Sequence, residues 1–125
     1  MDGVTETALQ VPDVFRYAGR TLVEWLPAIV ARVAQRFDPD RIILFGSLAR
    51  GDAGPDSDID LLVVFSDAVE RRSTAVALRL AIADIPAPVD FVVTDLLEIQ
   101  RRAGIAGPAL ATALEEGKVV YHRGA

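Results

Sequence analysis

The chain has 125 residues, of which 51% are hydrophobic and 25% are charged, and its formal net charge at pH 7 is −5. This length and composition predict one globular domain with a real hydrophobic core. The negative charge disfavours direct nucleic-acid binding, and the lack of cysteine excludes disulfides and thiolate metal sites. No apolar run reaches membrane-spanning length and the N-terminus shows no secretory signal, so we expect a cytoplasmic protein.

Two helices are predicted before the first strand. The first covers residues 13–25, and we expect it to pack on the core, with a partner-docking arm as the alternative. The second begins near Pro27, because proline suits the first turn of a helix, and it ends before residues 38–40. The predicted organisation is therefore an N-terminal segment over residues 1–26 and a single domain over residues 27–125.

The first strand leads into a glycine-rich turn. Ile42–Phe45 is a short apolar run ended by a glycine, which is typical of a strand buried on both faces. Gly46 allows the backbone to turn tightly and approach a ligand. Ser47 can cap a short helix, whose free N–H groups would attract phosphate. We therefore expect a phosphate-sized turn after this strand.

A P-loop is the obvious competing interpretation of this turn. Gly46 and Gly51 have the spacing of the two P-loop glycines, but Asp52 and Ala53 stand where a P-loop requires Lys and Ser or Thr. The usual Walker-type ATPase is therefore excluded, and a triphosphate would be held by backbone and metal.

Two aspartates stand at the entrance to the second strand. Asp58 and Asp60 lie directly before the apolar run Leu61–Phe65. In an extended chain, residues two apart point to the same side, about 7 Å apart. Two like charges so placed repel each other unless a cation lies between them, and carboxylate oxygens suit Mg²⁺. The pair is thus a candidate magnesium site.

A helix is predicted from about Ser66 to Ala83, with its arginines in solvent. Its expected buried side consists of Val69, Val76, Leu80 and Ala83.

A third strand over residues 89–93 contains one carboxylate. Because the strand is otherwise apolar, we expect it to be central and Asp90 to be buried, and an unpaired buried carboxylate costs several kcal/mol. An ion pair with Arg50 would compensate for this cost. A cation shared with Asp58 and Asp60 would do so equally, and the residues alone leave both alternatives open.

The remaining elements complete an α/β (α+β) fold. Thr94 and Asp95 read as the start of a helix that ends near Gly104, followed by a helix over residues 108–116 and an edge strand over residues 118–122. The order of elements predicts a small mixed β-sheet flanked by helices. His122, the only histidine, is expected to be solvated.

The central motif resembles a known family signature. Gly46-Ser47, ten further residues and Asp58-Ile59-Asp60 resemble the signature of the DNA polymerase β-type nucleotidyltransferase superfamily. With Ala49-Arg50-Gly51 and Ser57, the string is similar to its minimal nucleotidyltransferase (MNT) branch, whose members are commonly antitoxins paired with HEPN-domain toxins. The resemblance extends over roughly residues 27–122 and implies a polymerase β-like nucleotidyltransferase core.

The resemblance also implies roles for individual residues. Asp58 and Asp60 would hold two Mg²⁺ ions, and Asp90 matches the third catalytic carboxylate and metal ligand of the superfamily. Leu48 stands where many relatives carry arginine, which removes one phosphate contact and leaves the metal ligands unchanged. The implied nucleotide-binding residues are Gly46, Ser47, Arg50 and Ser57.

The implied function is transfer of AMP from ATP to a hydroxyl, a tyrosine in this branch, of a HEPN-type toxin in a hetero-oligomer. The nucleotidyltransferase core alone uses nearly all of the chain, so we expect another molecule to present the acceptor. Two alternatives remain. One is a non-catalytic module that neutralises a partner by contact. The other is a small-molecule nucleotidyltransferase of the aminoglycoside type.

Overall fold

Helices and strands alternate along the chain in the predicted order. The structure is a computed structural model, and it describes residues 16–101 and 108–124. Its elements are α1 (Leu22–Phe37), β1 (Arg41–Phe45), α2 (Gly46–Arg50), β2 (Ile59–Phe65), α3 (Arg71–Ala81), β3 (Val89–Asp95), α4 (Leu96–Arg101), α5 (Pro108–Glu116) and β4 (Lys118–His122). The predicted α/β class is confirmed.

The four strands form one mixed sheet in the order β3-β2-β1-β4. β1 is antiparallel to both β2 and β4, whereas β2 and β3 are parallel. The amino ends of β2 and β3 therefore meet the carboxyl end of β1 at one end of the sheet. In this register, Asp60 lies opposite Phe45 on one side and opposite Asp90 on the other.

Helices cover both faces of the sheet. α1 and α3 pack on one face, where Ile29, Val33 and Leu78 contact the sheet, and α5 packs on the opposite face through Leu110 and Ala113. Successive residues of a strand point to opposite faces, so β1 and β2 must be apolar throughout. This explains why their sequences read as continuous apolar runs, and each fully buried aliphatic side chain contributes about 1.5–3 kcal/mol.

The start of α1 differs from the prediction. Thr21 and Glu24 form a capping box: the Glu24 N–H donates to Thr21 Oγ1 at 3.2 Å, and the Thr21 N–H donates to Glu24 Oε1 at 2.8 Å. α1 begins directly after Thr21, the first residue of this box, and contains Pro27, so the prediction of a separate helix starting at Pro27 is wrong. The predicted helix over residues 13–25 is wrong from residue 16 to the box, and its first three residues lie outside the described part.

The capping box explains this outcome physically. Two orphan N–H groups are satisfied at Thr21, which sets the helix start. Pro27 has no N–H to donate and its ring crowds the carbonyl four residues earlier, and α1 places this unfavourable residue on an exposed turn. Because α1 runs across residue 26, it joins the two predicted segments, and the division of the chain at that residue stays a prediction.

α3 turns a different face to the core from the one predicted. Leu78 and Ile82 are buried, whereas Val76 is 45% exposed and Leu80 is 70% exposed. The helix begins after Glu70, whose carboxylate accepts the N–H groups of two residues in the first turn. Two apolar stripes at helical spacing run along this segment, so the sequence pattern alone could not decide which one is inside.

The predictions for the C-terminal elements hold where the structure describes them. α5 and β4 have the predicted bounds, and α4 begins at Leu96, directly after Asp95. The predicted end of α4 near Gly104 lies outside the described residues. Over the ranges that the structure covers, no helix combines the length and apolar character that crossing a membrane requires.

Candidate active site

Three carboxylates converge where β2 and β3 begin. Asp58 directly precedes β2, while Asp60 and Asp90 are paired residues near the starts of β2 and β3. One carboxylate oxygen from each lies within 4.8 Å of the others. Because neighbouring strands are about 4.8 Å apart, the pairing of Asp60 with Asp90 places the third carboxylate beside the first two. We call this cluster the aspartate triad.

The burial of the triad is uneven. Asp58 and Asp60 are half-buried, but Asp90 is exposed. The expectation of a buried Asp90 in a central strand is wrong, because β3 is an edge strand. Arg50 also does not provide the alternative ion pair, since its Nε donates to Asp52 Oδ2 at 3.3 Å. The triad is therefore open to solvent on the Asp90 side.

The electrostatics of the triad are unfavourable without a cation. Burial, followed by the charge and hydrogen bond of Asp58 and the charge of Asp90, raises the pKa of the Asp60 carboxyl from 3.8 to about 6. Arg50 lowers the pKa only in part. Three hard oxygen donors around one point, with their mutual repulsion incompletely offset, form a ligand set that suits a divalent ion such as Mg²⁺.

Gly46 is required by its contact with the triad. Its φ is +74°, and a Cβ at this position would lie 2.1 Å from Asp60 Oδ2. Both the left-handed backbone and the lack of space therefore favour glycine. The close approach predicted for Gly46 is to a ligand, whereas its contact with Asp60 was not predicted. This contact follows from the pairing of Phe45 with Asp60, which cannot be read from the sequence alone.

A pair of serines fastens the loop that leads to the triad. Ser47 Oγ donates to Ser57 Oγ at 3.0 Å, and the Gly54 N–H donates to Ser57 Oγ at 2.8 Å. The prediction that Ser47 caps α2 is wrong. Ser47 lies inside α2, and no side chain caps the helix after Phe45. The first N–H groups of α2 are thus not taken by a capping side chain, which suits an anion near Gly46.

The structure brings most of the predicted site residues together. Gly46 contacts Asp60, and Ser47 is joined to Ser57, the residue next to Asp58. Arg50 is exposed at the end of α2 and paired with Asp52. His122 is exposed on β4 at the opposite edge of the sheet from β3, in agreement with its predicted solvation.

A separate cavity lies at the other end of β3. It has a volume of about 280 Å³ and is lined by Ala68, Val69, Arg71, Asp95, Leu97, Glu98 and Arg101. Asp90 and Asp95 are five residues apart, or roughly 16 Å along a strand, so this cavity is distinct from the triad. Its buried carboxylate has a structural role, because Asp95 Oδ1 accepts the Glu98 N–H at 2.8 Å and caps α4.

Comparisons with known proteins agree with this geometry. The family model described as "Nucleotidyltransferase domain" matches residues 26–118. Among solved structures, a protein from Sulfolobus solfataricus assigned as a nucleotidyltransferase is 23% identical with a TM-score of 0.52, and the match covers 98% of this chain and 90% of that one.

Two similar structures come from toxin–antitoxin pairs. A chain of a mutant of the MntA–HpeT toxin–antitoxin is 24% identical with a TM-score of 0.56, and the match covers 78% of this chain and 72% of that one. A chain of a toxin–antitoxin solved with AMP-PNP is 23% identical with a TM-score of 0.57, over 77% and 72% of the two chains. At these identities, the likeness establishes the fold. No curated protein matches significantly. The expected superfamily is confirmed, and this chain belongs to the nucleotidyltransferase domain family.

Proposed function

We propose that this chain transfers AMP from ATP to a tyrosine hydroxyl of a partner toxin with a HEPN domain, and thereby acts as the antitoxin. The observation that carries the proposal is the convergence of Asp58, Asp60 and Asp90 within 4.8 Å beside Gly46. Membership of the nucleotidyltransferase family supports the reaction class. The toxin–antitoxin structures of similar fold support the kind of partner, and we place the reaction in the cytoplasm.

The donor set of the triad fits two magnesium ions. We assign Asp58 and Asp60 to both ions and Asp90 to the one on the acceptor side. When bound, such ions supply a lowered pKa for the attacking hydroxyl and charge neutralisation for the leaving pyrophosphate. The pKa of Asp60 is raised first by burial and then by the neighbouring Asp58 and Asp90, and the repulsion from these two carboxylates is one that a divalent cation would relieve.

The other groups of the site have separate roles in binding ATP and accepting the proton. Gly46 and Ser47 cradle the β- or γ-phosphate with backbone N–H groups, while Ser57 holds the loop in place. Arg50 adds positive charge next to the triphosphate. The exposed Asp90 faces the acceptor and takes the proton of the tyrosine hydroxyl, whose ordinary pKa is about 10.

The transfer is an in-line displacement at the α-phosphorus. A bond forms between the tyrosine oxygen and the α-phosphorus, and the bond from that phosphorus to the bridging oxygen of the β-phosphate breaks. Pyrophosphate leaves with the electron pair, and the tyrosine proton passes to Asp90. Positioning and electrostatic stabilisation provide most of the catalysis in reactions of this kind.

The test is intact mass spectrometry of the partner. The chain is co-expressed with the protein encoded beside it, and the complex is incubated with ATP and Mg²⁺. Wild type should add one or more AMP units to the partner, and Asp58→Ala with Asp60→Ala should add none. Asp56→Ala with Asp67→Ala is the matched control, because it removes two exposed carboxylates that lie outside the triad and are not the partner of Arg50. A stable complex with no mass change in any sample would instead favour neutralisation by contact alone.

A further inference from the structure

Arg50 is the one cation that α2 offers to the aspartate triad. Gly46, the first residue of α2, contacts the Asp60 carboxylate, and Arg50 follows it by four residues, which is one helical turn. Burial and two neighbouring carboxylates raise the pKa of Asp60, and the charge of Arg50 lowers it. Leu48 is half-buried and packs on the apolar core. The direction in which the Arg50 guanidinium points therefore matters for any anion bound at this turn.

The Arg50 guanidinium is held by its inner nitrogen. Arg50 Nε donates to Asp52 Oδ2 at 3.3 Å, and within the described part of the chain this guanidinium has no other ion pair or hydrogen bond. Its two terminal nitrogens remain available for a bidentate contact, which is the geometry in which arginine binds phosphate. A carboxylate bound to the terminal nitrogens would compete with a phosphate, whereas a carboxylate bound to Nε does not.

The backbone fixes Asp52 against the turn that is assigned to the phosphate. The Asp52 N–H donates to the Ser47 carbonyl at 3.1 Å, and the Gly51 N–H donates to the same carbonyl at 3.0 Å. Gly51 has a left-handed φ of +84° and ends α2, so Asp52 comes directly after the helix. The residue that holds Arg50 is therefore itself tied to Ser47, one of the two residues assigned to the phosphate.

We propose that Asp52 is a positioning residue, which directs the terminal nitrogens of Arg50 towards the triphosphate of ATP. The ligand of Arg50 in this proposal rests on the proposed function. A negative charge beside a triphosphate weakens nucleotide binding, so electrostatics alone favour a neutral residue at position 52. Positioning gives the opposite expectation, because an arginine without a partner must lose side-chain entropy when the nucleotide binds. The two explanations therefore predict opposite effects of removing the Asp52 carboxylate.

The experiment measures the affinity of the chain for ATP with Mg²⁺ by calorimetry, without a partner protein. Asp52→Ala keeps the backbone hydrogen bond to Ser47 and should raise Kd about threefold to fivefold, as expected for an exposed ion pair. Asp52→Asn keeps an oxygen that can accept from Arg50 Nε and should restore most of this loss. Asp56→Ala is the matched control, because it removes an exposed carboxylate of the same loop. It should leave Kd within about twofold of wild type.

A double-mutant cycle tests whether Asp52 acts through Arg50. Arg50→Ala should raise Kd by more than Asp52→Ala, because it removes the cation itself. The variant that combines both changes should bind ATP no more weakly than Arg50→Ala alone, since Asp52 then has no guanidinium to direct. If Asp52 only stabilised the loop, its removal would weaken ATP binding by the same factor whether or not Arg50 is present.

The outcomes separate the positioning role of Asp52 from the transfer reaction. Unchanged or tighter ATP binding by Asp52→Ala would overturn the positioning role, and so would an equal loss in the Arg50→Ala background. The expected pattern of Kd values without any AMP transfer to the partner by wild type would support the positioning role and contradict the proposed function. AMP transfer by wild type together with unchanged ATP binding by Asp52→Ala would do the reverse.

Discussion

The two ends of β3 use carboxylates in opposite ways. At the carboxyl end, Asp95 is buried and accepts the N–H groups of Glu98 at 2.8 Å and Val69 at 3.4 Å. At the amino end, Asp90 is exposed and faces Asp60, whose pKa is raised to about 6. The first carboxylate has donors for its oxygens, and the second is surrounded by further carboxylates. A cluster of acids therefore indicates a metal site where donors are lacking, even though the cavity of about 280 Å³ lies at the other end of β3.

The largest predicted effect is a difference in the rate of AMP transfer between variants at the two ends of β3. Asp60→Ala should lower the rate of AMP transfer about 10³-fold, since it removes a ligand shared by both proposed ions. Asp95→Ala should leave the rate per folded molecule within about threefold of wild type, because the side chain lies roughly 16 Å from the triad. The measurement is the initial rate of AMP incorporation into the partner, normalised to the folded fraction. Equal losses in both variants would show that the two ends are not functionally distinct.

The contact between Gly46 and Asp60 should have the next largest effect. Gly46→Ala should lower the free energy of unfolding by about 3 kcal/mol, because it combines a left-handed backbone with a Cβ in the space of Asp60 Oδ2. Gly51→Ala is the matched control: its φ is +84°, but a Cβ there would meet nothing within 4 Å. It should cost only about 1 kcal/mol. Urea unfolding of both variants checks this, and equal costs would mean that the contact with Asp60 is not tight.

At the other end of β3, stability should change without any change in metal affinity. Asp95→Ala removes the cap of α4 and should lower the free energy of unfolding by about 1–2 kcal/mol. The affinity of the triad for Mn²⁺, measured by calorimetry, should stay within twofold of wild type. A large drop in Mn²⁺ affinity would indicate that the metal binds near Asp95 instead.

The smallest effect concerns pH. The folded state raises the pKa of Asp60 from 3.8 to about 6, so the folded state retains a proton that the unfolded chain releases between these values. Wild-type stability should therefore fall as pH rises through this window. In metal-free protein, Asp60→Asn removes the penalty and should be more stable than wild type at pH 8, by on the order of 1 kcal/mol after solvent screening.

Thermal unfolding between pH 4 and pH 8 measures the difference. The advantage of Asp60→Asn should shrink towards pH 4, where the folded wild-type state is almost fully protonated at this position and the unfolded state is nearly half protonated. Asp52→Asn, a change at an exposed loop carboxylate, should show no such advantage. A wild type that is more stable at pH 8 than Asp60→Asn without metal would contradict the repulsion inferred for the triad.

Local patterns predicted the parts of the site that lie close together in sequence. The strand, the glycine turn and the Asp58-Ile59-Asp60 pair could be read from residues 42–65, because each depends on neighbours along the chain. Asp90 was located by its resemblance to the family. Its exposure could not be foreseen, since an edge strand and a central strand differ only in what lies beside them.

The wrong predictions for α1 and α3 also arose because a local sequence pattern does not show tertiary contacts. Val76 and Leu80 form a regular apolar stripe, and only the packing of α3 on the sheet shows that Leu78 and Ile82 are the buried residues. Both Pro27 and the Thr21 capping box are typical of a helix start, and α1 begins at the capping box. Where two local signals are of similar strength, tertiary packing or hydrogen bonding decides between them.

The most direct test of the central claim follows the α-phosphate and the γ-phosphate of ATP separately. The wild-type chain and its partner are incubated with Mg²⁺ and ATP labelled at either the α- or the γ-phosphate, in parallel with the Asp58→Ala, Asp60→Ala variant. We expect the α-label on a tyrosine of the partner with wild type alone, and no γ-label on the partner in any sample. A γ-label on the partner, or an equal α-label with the variant, would contradict nucleotidyl transfer by the aspartate triad.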